Sequence, residues 1–258
     1  MISSSAARFM AALIGNLLLF GVIGPHVLAQ SFDEPIQKEV VDYGLANPEE
    51  SLSSHIKLSC FYYSRFMVKQ YDVGEKGSEW LAISPMSQGA LPKCSRIHGS
   101  QEKVIEKWTG YFKGVKGNSV FFNAEDAFNL GYPFAVFKAT TGTKIFEDSS
   151  LLTPDGRDTL QAFEASDGTT IIRYTRVFPG NCSIPKEKAV CWEWFRKENR
   201  LPQSAIPICS GYDKNLGSLN EHYLDNPSVI GYPVEVNLSA GTPSVKIMPG
   251  PVTCWGAD

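Results

Sequence analysis

A histidine in a long polar stretch is the clearest candidate for chemistry in this sequence. His222 follows Glu221 and precedes Asp225, inside a run over residues 210–228 that has little hydrophobic periodicity. An imidazole titrates near neutral pH, so His222 with a neighbouring carboxylate could act as the general base of a hydrolase. Because no nucleophile can be placed beside it from the sequence, we favour a solvated loop histidine over a catalytic one.

Motifs that would identify an enzyme class are absent from the sequence. We find no Gly-x-Ser-x-Gly, His-Glu-x-x-His, dinucleotide-binding, phosphate-loop or calcium-loop pattern. Ser-x-x-Lys begins at Ser54 and at Ser183, but no Lys-Thr-Gly follows, so we attribute both matches to chance. Neighbouring acids such as Glu125 and Asp126 would point to opposite faces of a strand and could not converge on one glycosidic bond. The sequence therefore predicts no cofactor.

Aromatic side chains are the second candidate for chemistry. If they lay exposed in a row, they would form a platform on which a glycan or a peptide stacks; the candidates are Trp80, Trp108, Tyr132 and Tyr232. The alternative is that they fill a β-rich core, and we favour it for any one of them. The ligand itself is left open.

The first 29 residues have the pattern of a secretory signal peptide. Arg8 precedes an apolar stretch over residues 9–24, and small residues lead to a predicted cleavage after Ala29. An uncleaved anchor is the alternative, because residues 9–29 could almost span a bilayer. We expect residues 30–258 to form a single secreted or periplasmic domain, with a possible sub-boundary near residue 180 and no further membrane span. The net charge of −3, without basic blocks, argues against nucleic acid as a partner.

Six cysteines follow the predicted signal peptide, and an even number in an exported chain indicates three disulfides. Fifteen pairings are possible for six cysteines, and we favour pairing between sequence neighbours: Cys60 with Cys94, Cys182 with Cys191, and Cys209 with Cys254. No Cys-x-x-Cys occurs and the histidines are scattered, so no metal site is predicted. His98, close to Cys94, is interpreted as a surface residue beside a disulfide.

Most of the remaining chain has the composition of antiparallel strands. Residues 55–73 and 79–86 are rich in β-branched and aromatic residues and predict a hairpin across the turn at residues 74–78. Three more strand–turn–strand units follow, whose turn glycines Gly117, Gly142 and Gly168 are evenly spaced. Gly-Tyr-Pro occurs at positions 131 and 231, each time before a strand pattern, and predicts two equivalent hairpins with Pro at the start of a strand. Residues 244–255 predict a last strand pair.

Two segments have helical patterns instead. Residues 35–45 begin with Pro and place Ile36, Val40 and Val41 on one side, which predicts a short helix. Residues 186–199 predict a second helix, with a buried stripe that contains Val190, Cys191, Trp194 and Phe195.

The sequence as a whole predicts a mainly β protein, an antiparallel hairpin array held by disulfides, with one inserted helix. A sandwich and a partial propeller-like sheet are both compatible with the hairpin spacing. For function we favour an exported, non-catalytic binding or envelope-associated protein. The alternatives are a secreted hydrolase that uses the residues around His222, and a structural component of a cell-envelope assembly.

Overall fold

The computed structural model describes residues 32–49, 53–86, 91–165, 167–212, 223–239 and 242–257, and it confirms a mainly β fold. Within these residues two sheets are formed. The first sheet contains, in spatial order, β1 (Gln37–Leu45), β2 (His55–Tyr62), β3 (Phe66–Asp72), β4 (Trp80–Pro85) and β5 (Lys103–Val104). The predicted signal peptide at residues 1–29 lies outside the described residues.

The second sheet contains ten strands: β6 (Tyr111–Lys116), β7 (Ser119–Asn123), β8 (Gly131–Lys138), β9 (Lys144–Leu151), β10 (Gln161–Glu164), β11 (Thr170–Pro179), β12 (Cys209–Ser210), β13 (Ser228–Asn237), β14 (Ser244–Ile247) and β15 (Thr253–Gly256). Its main path runs β12–β15–β13–β11–β9–β8–β7–β6, with β10 beside β11 and β14 beside β13. All pairs are antiparallel except β12 with β15. The three hairpins with turns at Gly117, Gly142 and Gly168 are confirmed.

Strands β7 and β8 form the middle of a layered, sandwich-like arrangement. Successive strand residues point to opposite faces, and here both faces are covered. Phe121 packs in one cluster with Ile172 of β11, whereas the next residue, Phe122, packs in another with Leu81 of β4. The first sheet therefore turns one face toward β7 and β8. We call its opposite face the outer face.

The predicted helix at residues 35–45 is wrong, because this segment is strand β1. It pairs with β2 from Gln37 opposite Tyr62 to Asp42 opposite Lys57. Along β1 the side chain of Val40 is exposed and that of Val41 is half-buried, an alternation of period two rather than a helical stripe. Pairing with a neighbouring strand thus overrides a weak local preference for helix.

The segment at residues 55–86 forms three strands rather than the two that the sequence predicts. The chain reverses once more between β2 and β3, where the Tyr63 amide donates to the Phe66 carbonyl at 2.8 Å. The predicted turn at residues 74–78 connects β3 to β4, and Gly74 and Gly77 adopt positive φ there. The last predicted strand pair is also different, because β14 and β15 each pair with β13.

Both Gly-Tyr-Pro copies lead into hairpins, β8 with β9 and β13 with β14, but neither proline begins its strand. The carbonyls of Pro133 and Pro233 accept hydrogen bonds from the Ala124 and Met248 amides at 2.8 and 2.9 Å. A residue in an antiparallel strand directs its N–H and C=O to the same side. The missing proline N–H therefore faces the end of β7 in one case and the gap between β15 and β14 in the other, where no ladder bond is lost.

The inserted helix is broken into α1 (Ile184–Glu187) and α2 (Ala189–Asn199) at Lys188, whose φ is 50°. Cys191 and Phe195 are buried as predicted. The stripe was wrong at Val190, which is 75% exposed, and it omitted Trp192, which is 4% exposed. The buried side of α2 is thus centred on Trp192 and Phe195 and turns Val190 toward solvent.

All three predicted disulfides are confirmed, with Cα–Cα separations of 5.9, 5.7 and 4.4 Å in chain order. The bond between Cys60 and Cys94 closes a span of 34 residues, which corresponds to about 4 kcal/mol in the chain-entropy model. It attaches residues 91–102, the Cys94 segment, to the outer face of the first sheet. This attachment creates the site described next.

Candidate functional site

The Cys94 segment covers a mixed polar and aromatic surface on the outer face. Strand alternation places Lys69 and Tyr71 of β3 on this face, next to Trp80 and Ser84 of β4. Cys94 packs among buried side chains there, in one cluster with Tyr71. The loop therefore brings its own polar residues against those of the two strands.

A buried ion pair joins the loop to the sheet. The Lys69 ammonium lies 3.1 and 2.9 Å from the two carboxylate oxygens of Glu102, and the side chains are 1% and 3% exposed. The Ser84 hydroxyl donates to the same carboxylate at 2.7 Å, and His98 Nδ1 lies 2.6 Å from its other oxygen. The Gly99 amide adds a longer contact at 3.4 Å. The Glu102 carboxylate is thus surrounded by donors.

These contacts keep Glu102 ionised. Burial alone would favour the neutral acid. The hydrogen bonds from His98, Lys69 and Ser84 outweigh burial and hold the pKa of Glu102 below its usual value. Glu102, Lys69, Ser84 and His98 therefore form a hydrogen-bonded cluster at the floor of the site, in which Glu102 is a carboxylate and not a neutral acid.

A cavity of about 560 Å³ opens beside this ion pair. That volume lies within the range of small-molecule binding sites. Its lining is Lys69, Ser84, Pro85, Pro92, Lys93, Ser95, Ile97, His98, Gly99, Ser100, Gln101 and Glu102. Lys93 is exposed and forms no ion pair with a described residue, so its charge is directed to solvent or to a ligand.

Aromatic and cationic groups extend from the cavity across the strands. Trp80 stacks on Tyr71 with ring centroids 5.3 Å apart, and the His98 ring packs edge-on against Trp80 at 4.6 Å. The Arg96 guanidinium lies 4.4 Å from the Tyr43 ring and 5.6 Å from that of Tyr71. We call these five residues the aromatic ladder. His98 belongs both to the ladder and to the cavity, so the two are continuous.

The residues predicted for hydrolysis do not form a described site. His222 and Glu221 lie outside the described residues. Asp225 is in a 3-10 helix at Tyr223–Asp225, and its carboxylate pairs with Lys186. The hydrolase hypothesis based on His222 therefore stays a prediction.

The four predicted stacking residues are on separate elements, and no ring contact joins any two of them. Trp80 belongs to the aromatic ladder. Trp108 is half-buried, and its Nε1 donates to the Asn123 carbonyl at 3.1 Å. Tyr132 is half-buried in β8. Tyr232 is 1% exposed, and its hydroxyl donates to Asn199 Oδ1 at 2.8 Å. Of these four residues, Trp80 is the one that contacts His98 and so adjoins the cavity beside Glu102.

The sequence reasoning missed the ion pair and assigned His98 only to the surface. One signal was present: Lys69 interrupts the apolar face that Met67 and Tyr71 define on β3. A lysine at such a position is buried only when a partner neutralises it. Nothing in the sequence identifies Glu102, 33 residues away, as that partner.

The described residues contain one other histidine–carboxylate pair, His55 with Asp42 at 2.8 Å, and it is exposed. In the same residues no group of three or more His, Cys, Asp or Glu side chains is arranged to hold a metal ion. Neither of the described α-helices has the length and apolarity needed to cross a membrane. Comparisons with family models, curated proteins and solved structures found no match.

Proposed function

We propose that the chain is an exported binding protein whose ligand site is the cavity and aromatic ladder on the outer face of the first sheet. The observation that carries the proposal is the shared position of His98, which contacts both Trp80 and Glu102. An open cavity with a few fixed polar groups beside ring faces is the usual composition of a small-ligand site. The buried pair of Lys69 and Glu102 would hold the cavity floor in one geometry.

Export is part of this proposal. Three disulfides and no free cysteine among the described residues fit an oxidising compartment. We propose that residues 1–29 are removed and that residues 30–258 act as one domain in the periplasm or outside the cell. A protease-resistant core that begins at Gln30 and contains no free thiol is the expected result for secreted material.

The binding test uses residues 30–258, produced through an oxidising compartment and applied to glycan and peptide arrays. We expect a ligand whose affinity falls about tenfold in Trp80→Phe, because a smaller ring removes stacking area. Trp108→Phe is the matched control, since Trp108 lies outside the cavity. The proposal fails when neither array yields a ligand, or when both substitutions weaken binding equally.

A hydrolase is the alternative, and one observation favours it. His98 Nδ1 contacts a carboxylate, the arrangement that orients a catalytic base. The Ser84 hydroxyl, however, donates to Glu102 and not to His98, so it is not placed as an activated nucleophile. Turnover of chromogenic glycosides or esters that disappears in His98→Ala would establish this alternative over simple binding.

A further inference from the structure

We infer that the ligand of this site is an acidic sugar, bound through its carboxylate at Lys93 and stacked beside the aromatic ladder. This inference rests on the binding function proposed above and names its ligand class. It follows from the charge of the cavity, the state of Glu102 and the surroundings of β4.

The cavity carries an excess of positive charge in a chain that is acidic overall. The protein has 24 Lys and Arg residues against 27 Asp and Glu residues. The lining of the cavity instead contains two lysines, Lys69 and Lys93, and His98 against the single acid Glu102. Opposite charge is what such a site recruits.

Glu102 cannot attract a cationic ligand. Its oxygens already accept hydrogen bonds from Lys69, Ser84 and His98, and Lys69 neutralises its charge. A carboxylate has about four acceptor positions, and these contacts together with the Gly99 amide use them. The cavity therefore presents donors to a ligand and no free acid.

Lys93 is the donor best placed for a ligand carboxylate. It lines the cavity, is exposed, and makes no ion pair with a described residue. Ser95, Ser100 and Gln101 line the same cavity with neutral polar groups that suit sugar hydroxyls. His98 uses Nδ1 for Glu102 and makes no further hydrogen bond to the described residues through Nε2.

The surroundings of β4 favour a sugar over a peptide. Peptides commonly bind by adding a strand to a free sheet edge or by filling an apolar groove. Strand β4 is paired with β3 along its length and with β5 at Ala82 and Ile83. Beyond these residues, the next one directed to the β5 side is Pro85, which has no N–H to donate to an added strand. The apolar lining of the cavity is limited to Pro85, Pro92 and Ile97, whereas the adjoining ladder offers aromatic rings.

The test compares trigalacturonate with its methyl ester, which keeps the sugar rings and removes the charge. Isothermal titration of residues 30–258 should show the acid binding about tenfold more tightly than the ester, the effect expected of one charge-assisted hydrogen bond. Lys93→Ala should remove that difference by weakening the acid alone. Lys246→Ala is the control, because Lys246 is an exposed lysine on β14 in the other sheet.

The possible contrary results distinguish a failure of the ligand class from a failure of the proposed binding function. Equal affinity for acid and ester overturns the charge inference while the binding function stands. A peptide with a free C-terminal carboxylate that binds through Lys93, with no binding of trigalacturonate, overturns the assignment to a sugar. If the arrays yield a neutral ligand that depends on Trp80, the acidic class is wrong. If neither the arrays nor the titrations yield a ligand, the proposed function itself fails.

Discussion

Removing one partner of the buried Lys69–Glu102 pair should destabilise the protein. The loss in the free energy of unfolding should be larger when Glu102 is removed than when Lys69 is removed. Loss of one side of a buried ion pair costs about 3–5 kcal/mol, because an uncompensated charge stays buried. In Glu102→Leu the Lys69 ammonium keeps the Ile97 carbonyl at 3.4 Å and the Trp80 ring at 5.6 Å. Ser84 and His98 lose their acceptor as well. We expect a cost near the upper limit, about 5 kcal/mol.

In Lys69→Met the remaining charge is better satisfied. The Glu102 carboxylate keeps the Ser84 hydroxyl at 2.7 Å, His98 Nδ1 at 2.6 Å and the Gly99 amide at 3.4 Å. Hydrogen bonds to a carboxylate are among the stronger ones in proteins. The expected cost is therefore near the lower limit, about 3 kcal/mol. The double variant Lys69→Met/Glu102→Leu should lose about 3 kcal/mol less than the sum of the two single losses, because it leaves no unpaired charge buried.

The assay is urea unfolding of residues 30–258 with the disulfides intact, followed by tryptophan fluorescence. If Glu102→Leu does not fold, Glu102→Gln replaces it in the assay. Because Gln retains an acceptor for Lys69, we expect its loss of unfolding free energy to be smaller than that of Glu102→Leu. Lys144→Ala is the control, because its pair with Glu147 is exposed and should be worth less than about 1 kcal/mol. The reasoning is refuted if the two single variants lose less than the control, or if the double variant loses their full sum.

Three further predictions concern stability. Because the pKa of Glu102 is lowered in the folded state, its ionised contacts stabilise the fold above the unfolded pKa of about 4.3 and lose this effect as pH falls through the folded pKa. The urea concentration at the unfolding midpoint should therefore decrease as the pH is lowered below about 4.5. This decrease should be smaller in Glu102→Gln, which lacks the titrating carboxylate. Tyr232→Phe should cost about 0.5–1.5 kcal/mol by removing the hydrogen bond to half-buried Asn199, and an unchanged urea midpoint would contradict this role. In thermal unfolding, Trp192→Ala should lose about 3–5 kcal/mol of stability. Val190→Ala, at an exposed position, should lose less than about 0.5 kcal/mol. Equal losses would indicate that Val190 is buried, as the sequence predicts.

The hairpins could be predicted because their signals are local. A turn such as the one at Gly117 needs positive φ, and glycine adopts it at little cost. Strand β1 could not be predicted in this way, since residues 35–45 contain both a helical start and β-branched residues. Its state depends on pairing with β2, for example Val41 opposite Leu58, and the sequence does not specify that partner.

The candidate site was predictable only in part. Trp80 was among the aromatic candidates, and the disulfide of Cys94 was correctly paired. The interaction of Lys69 with Glu102 depends on how the loop lies on the sheet, which no spacing rule gives. The sequence neighbours of His98, on which its interpretation as a surface residue depends, do not include Trp80, the ring that it contacts.

The layer order of the fold explains how a buried ion pair can form on the outer face of the first sheet. The middle strands are apolar on both sides, as in the run Val120, Phe121 and Phe122, so they offer no position where an ion would be solvated or paired. Strand β3 is covered on one side by the core and on the other by an irregular loop. Such a loop carries its own donors and acceptors, and it can supply Glu102 to a lysine that a packed sheet would exclude. The same loop leaves a cavity, because irregular backbone does not fill the surface of a sheet as a second sheet does. A buried charge and a ligand-sized space therefore occur together here for one physical reason, and we expect substitutions that loosen the Cys94 segment to affect stability and ligand binding together.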